Sequence, residues 1–119
     1  MSSLLIIAHG SRREASNDEV RQLADAVRAE AGQNYDHIEV AFLELAEPSI
    51  PEGLAALAAQ GATEVVAFPY FLAAGTHVAH DIPGAIAEFT AGHPDVSVRL
   101  SPHLGASAAL PAAILNVAA

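Results

Sequence analysis

The run Leu4-Leu5-Ile6-Ile7-Ala8 constrains the fold more than any other stretch, because five consecutive apolar residues leave no face for solvent. A strand of that kind needs cover on both sides, as in a parallel sheet between two layers of helices. Strand one is expected from Met1 to Ala8, and three more short runs follow it: Ile38 to Leu43, Glu64 to Phe71 and Val96 to Leu100. Pro69 marks where regular ladder pairing of the third run stops.

Helical spacing fills the intervals. Val20, Leu23, Ala24 and Val27 predict a helix of roughly four or five turns that ends near Gly32. Leu54, Leu57 and Ala58 predict a second, entered through Ser49-Ile50-Pro51-Glu52 with capping-box spacing and stopped at Gly61. Ile82, Ile86 and Phe89 predict a third, with Asp81 as N-cap, Pro83 in the first turn and Gly92-His93-Pro94 as its end. Leu110, Ile114 and Val117 suit a short last helix. The order βαβαβαβα, with connections long enough for right-handed crossovers, predicts one α/β domain over residues 1–119. The expected architecture is three-layer α/β/α around a four-stranded parallel sheet of order 2-1-3-4. Strands one and three are then central neighbours, and the switch point between them is where open sheets of this class bind ligands.

Composition narrows the function classes. With 52% hydrophobic residues the 119-residue chain can bury a real core. The longest N-terminal apolar run is too short for a membrane span and lacks the basic flank of a signal peptide, so no membrane partner is expected. The absence of cysteine excludes disulfides and thiolate metal sites, leaves nitrogen and oxygen as metal donors, and fits a cytoplasmic location. Five basic residues, all arginine, against fourteen acidic ones give a net charge of −9, which argues against nucleic acid and anionic membranes as partners.

The chemistry gathers at one end of the expected sheet. His9 follows strand one, Glu44 follows strand two, and His77 follows strand three in the stretch Ala74-Gly75-Thr76-His77-Val78-Ala79-His80-Asp81-Ile82-Pro83. Two neutral imidazoles and one carboxylate suit cobalt, nickel, iron(II) or zinc with coordination positions left open. Singly, each has a plainer account, as a solvated loop histidine or a surface carboxylate; the convergence of all three favours a site.

Ala8-His9-Gly10-Ser11-Arg12, the segment Ala41 to Ile50, and Pro69-Tyr70-Phe71-Leu72 running into Gly75-Thr76-His77-Val78 and Asp81-Ile82-Pro83 resemble the three motifs of the small CbiX-type chelatases, relatives of the SirB sirohydrochlorin ferrochelatases. The resemblance runs in order from residue 4 to about residue 104. It implies a chelatase-like half domain that forms a homodimer, with sirohydrochlorin or a related tetrapyrrole as substrate. It also implies insertion of a divalent metal supplied as substrate, Co2+ first and Fe2+ or Ni2+ as alternatives, without an organic cofactor. His9 and His77 would be the metal-handling and catalytic histidines, and Glu44 the carboxylate beside them. Gly10, Ser11, Arg12, Arg13 and Thr76 would contact the tetrapyrrole.

Insertion expels two pyrrole protons, so the site needs a weakly held metal and a base. Four strong ligands would never release the ion. Sirohydrochlorin is a polycarboxylate, at odds with a chain this acidic unless Arg12, Arg13 and the first amides of helix one form a local anion site. Surface arginines that only solubilise the helix start are the alternative. By the same resemblance, Thr76 stands where many members of that family carry a basic residue, a departure that bears on affinity or substrate choice. Among the remaining residues, His80 is expected to face solvent or the turn, His103 to lie at the correct end on an edge strand, and His37 and His93 to be solvated at the opposite end. Glu47 is a substitute for Glu44 farther from the strand end, and Gly10 and Gly75 are expected to permit tight turns.

Two rival readings differ in class. A histidine phosphatase also uses two histidines at a sheet end, but it needs an arginine directly before the nucleophile, where this chain has Ala8. A non-enzymatic carrier would bind metal or tetrapyrrole with the same ligands and no insertion.

Overall fold

The computed structural model describes residues 2–119, so the Met1 end of the first expected strand lies outside the described residues. Four strands, β1 (Ser3–Ala8), β2 (Ile38–Phe42), β3 (Glu64–Pro69) and β4 (Ser97–Leu100), alternate with helices α1 (Glu14–Ala31), α2 (Ile50–Ala59), α3 (Ile82–Gly92) and α4 (Leu110–Ala118). All pairings are parallel and the order is β2-β1-β3-β4. The sequence places each element within a few residues. Its strand ends run slightly long because Leu43, Tyr70, Phe71 and Val96 carry the apolar pattern past the last ladder positions.

Alternation on β1 divides the core. Leu5 and Ile7 face α2 and α3 in a cluster with Leu54, Leu57, Ile82 and Phe89, all at most 5% exposed. Ile6 and Ala8 face α1 with Ala24, Val40 and Phe42. The helices change face where the strand order changes direction, as right-handed crossovers require. The capping box at Ser49 and Glu52 forms as its spacing predicts, with Ser49 Oγ accepting from the Glu52 amide and Glu52 Oε1 accepting from the Ser49 amide.

The two faces are unequally covered. On the α1 side, Leu4, Ile6, Val66, Phe68, Leu23 and Val27 line an apolar cavity of about 360 Å³ toward the β4 edge. The last helix forms as expected but does not bury its stripe, and Ile114, Leu115 and Val117 are 57%, 71% and 84% exposed. Among the described residues no helix is long and apolar enough to cross a membrane.

Candidate metal and tetrapyrrole site

Parallel strands deliver the ends of β1, β2 and β3 to one rim, and backbone bonds carry the alignment past the strands. The Leu43 amide donates to Ala8 O at 2.9 Å, the Glu44 amide to His9 O at 3.0 Å, and the Tyr70 amide to Ile7 O at 2.8 Å. His9 and Glu44 are thereby pinned opposite each other. The turn that follows passes so close to β2 that a Cβ at Gly10 would overlap the Glu44 carbonyl, and Gly10 has φ +96°. Only glycine meets both conditions. Gly75 differs from expectation, since its φ is not positive and a Cβ there would meet open space.

The expected trio comes together through His9. Its Nε2 lies 3.4 Å from Glu44 Oε2, with both side chains about half exposed. Its ring centroid lies 4.8 Å from that of His77, at an interplanar angle of 50°, and 6.3 Å from Phe71. Among the described residues no group of three or more His, Asp or Glu side chains is spaced to hold an ion as it stands. The arrangement is an open one, with one imidazole touching both other groups.

The segment expected to be a plain turn before α3 contains a π-helical turn, His77–Asp81, closed by the Ile82 amide donating to His77 O. Asp81 stands at the expected N-cap position of α3, but its backbone is already helical, at φ −69° and ψ −42°, and its side chain does not cap the helix. Instead Asp81 Oδ2 lies 2.8 Å from His77 Nδ1 and Oδ1 lies 3.2 Å from His80 Nδ1. The hydrogen bond from His77, then that from His80, holds the Asp81 carboxyl below the usual aspartate range. A wide turn places residues four apart side by side, which a cap reading of Asp-Ile-Pro does not anticipate.

The loop after β1 has a support that sequence reasoning missed. Asn17, 2% exposed on α1, accepts from the Ser11 amide at 3.0 Å and donates to Ser11 O at 2.8 Å. Its position three before Val20 and seven before Ala24 was the available signal, a polar residue on the buried stripe. The Ser11 hydroxyl is engaged by the Arg13 amide at 3.0 Å. Arg21 pairs with Glu14 and Asp18 and lies over Phe42, and Arg28 pairs with Asp25 and donates to Ile38 O. Arg12 and Arg13 are exposed beside His9 and, among the described residues, their guanidinium groups have no carboxylate partner. Thr76 is exposed at the start of the π turn, without a side-chain cap bond.

Among the described residues none of the other candidates makes a side-chain hydrogen bond or ion pair with a member of the trio. The carboxylate paired with His9 is that of Glu44, while Glu47 offers its backbone carbonyl to Arg21. His80 is 84% exposed. His103 precedes the short 3-10 turn Leu104–Ala106 after β4. His93 is not simply solvated: it stacks on Phe89 at 4.0 Å, and its Nδ1 lies 3.0 Å from Phe89 O at the end of α3.

Comparison with known proteins follows the same site. The chain is 41% identical over 81 residues to a sirohydrochlorin cobaltochelatase of Methanothermobacter thermautotrophicus, a match covering 67% of this chain and 54% of that protein. Among solved structures, a CbiX protein from Marinobacter aquaeolei superposes with TM-score 0.83 at 30% identity, over 99% of this chain and 94% of that one. The sirohydrochlorin chelatase SirB from Bacillus subtilis subspecies spizizenii, in complex with cobalt, superposes with TM-score 0.88 at 29% identity, over 97% of this chain and 48% of that one. The chain thus spans about half the length of these two chelatases. The CbiX family model matches residues 3–119, so the expected fold and the family it resembles coincide, and the chain belongs to the CbiX family.

Proposed function

We propose that this protein is a chelatase that inserts a divalent metal, Co2+ first, into sirohydrochlorin or a closely related tetrapyrrole. The observation that carries the reading is the His9 imidazole set between the Glu44 carboxylate and the His77 ring on an open rim. Macrocycle and M2+ combine with loss of two pyrrole protons. In this reading His9 and His77 deliver the ion through nitrogen, while the His9–Glu44 pair takes up one pyrrole proton and offsets the arriving charge, and the second proton leaves to solvent across the half-exposed rim. An open set of at most three donors lets the ion leave for the macrocycle. Arg12 and Arg13, uncommitted to any described carboxylate, are the cations for the substrate's carboxylates, with Gly10, Ser11 and Thr76 along the same edge. No organic cofactor is required, and a cysteine-free chain suits a cytoplasmic setting.

Support for cobalt comes from the cobaltochelatase relative and the cobalt-bound SirB, while ligand chemistry alone does not choose among Co2+, Fe2+ and Ni2+. The working unit is proposed to be a homodimer. An open rim, the apolar cavity beside α1 and the bare stripe of α4 support a second copy.

The test mixes purified protein with sirohydrochlorin and Co2+, Fe2+ or Ni2+ in turn and follows the visible spectrum. Insertion above the uncatalysed rate is expected, fastest with Co2+. Pigment binding with no rate increase would identify a carrier instead.

A further inference from the structure

We propose that Asp81 is a positioning residue that fixes His77 as its Nδ1–H tautomer and so keeps the Nε2 lone pair free for metal. The inference rests on the proposed role of His77. Asp81 stands 2.8 Å from His77 Nδ1, within a π turn whose closing bond runs from the Ile82 amide to the His77 carbonyl. The backbone bond ties His77 to Ile82 and the side-chain bond ties it to Asp81, so both fix His77. The carboxylate is not used in capping α3.

An ionised carboxylate only accepts hydrogen bonds, so the proton between the two groups belongs to Nδ1. A neutral imidazole alone in water prefers the Nε2–H form, and Asp81 reverses that preference. A carboxylate behind a metal-binding imidazole also raises its basicity and fixes the ring's orientation. His9 is held by the other nitrogen, Nε2, at Glu44. The two imidazoles are thus distinguished: His77 is the ring whose Nε2 is left bare, and His9 is the ring coupled to a proton-accepting carboxylate.

His80 takes the second oxygen of Asp81 at 3.2 Å but is 84% exposed, so it orients the carboxylate without being needed for the His77 tautomer.

The experiment records long-range 1H–15N correlations of the histidine rings in metal-free protein at about pH 8, where histidine is neutral. His77 is identified by the signal lost in His77→Ala. The expected result is a protonated Nδ1 and bare Nε2 at His77 in the parent and in His80→Ala, with reversal toward Nε2–H in Asp81→Ala. Equilibrium dialysis with Co2+ alone should show affinity reduced roughly ten- to a hundredfold in Asp81→Ala. A parent His77 already in the Nε2–H form, an unchanged tautomer in Asp81→Ala, or an unchanged Co2+ affinity would each overturn the inference. If Asp81→Ala does not fold, the parent tautomer and the Asp81→Asn affinity decide. Full insertion activity in His77→Ala would sink the chelatase assignment of that residue while leaving the tautomer result standing.

Discussion

Gly10 shows how one missing side chain sets the site. Its positive φ and the Glu44 carbonyl against its Cα hold the turn after β1 against the turn after β2, which is what keeps His9 and Glu44 3.4 Å apart. Gly10→Ala is expected to cost about 3 kcal/mol, combining left-handed strain with overpacking, and to be read as a loss in denaturant midpoint. Gly75→Ala, with open space at its Cβ, should leave stability within about 0.5 kcal/mol. The arginines beside His9 act on the substrate alone in this account. Arg12→Ala or Arg13→Ala should weaken sirohydrochlorin binding roughly fivefold, an amount suited to exposed charge pairs, with Co2+ binding unchanged. Equal and small effects on both ligands would remove the anion-site assignment.

At the scale of elements, α2 offers a clean measurement because both halves of its capping box are formed. Ser49→Ala should cost about 1 kcal/mol. The Ser49 backbone amide, then its hydroxyl, holds the Glu52 carboxyl below the ordinary glutamate range. A carboxyl depressed in the folded state lends stability that is fully present above its unfolded value and is lost as pH falls through the folded one. The melting-temperature gap between the parent and Glu52→Ala should therefore be largest near neutrality and shrink once the pH drops below about 4. The same box was legible in the sequence because capping depends on residues three apart. The parallel sheet was legible for a similar reason: uninterrupted apolar strands and 3.6-residue stripes are local patterns with one economical arrangement. The trio His9, Glu44 and His77 followed from strand ends alone. Asp81 sits at the expected N-cap position, but its carboxylate goes to His77, four residues back, because helical backbone already begins at His77; Asn17 was missed because its two bonds to Ser11 exist only once α1 lies over the β1 loop.

At the scale of the whole molecule, the bare last helix is the feature the sequence could not reveal, whereas α1 alone on one face follows from the order 2-1-3-4 with right-handed crossovers. The stripe Leu110, Ile114 and Val117 is helical in pattern, but nothing in a pattern says what the helix packs against. In the structure two helices cover one face of the sheet and one helix covers the other, while α4 stands almost bare. The proposed dimer makes a direct prediction: light scattering should give twice the monomer mass for the parent, and the double substitution Ile114→Glu and Val117→Glu should shift it to monomer and slow metal insertion. A parent that is monomeric and fully active at working concentration would contradict the dimer while leaving the site chemistry intact.

The central claim is that His9 and His77 jointly hand a metal ion to the macrocycle. It is tested most directly by single-turnover insertion of Co2+ into sirohydrochlorin, followed by the visible spectrum, in the parent, His9→Ala and His77→Ala. The account predicts a fall of at least about a hundredfold in each variant, the scale of a lost ligand or base, with thermal stability unchanged. Insertion by both variants at the parent's rate would contradict it.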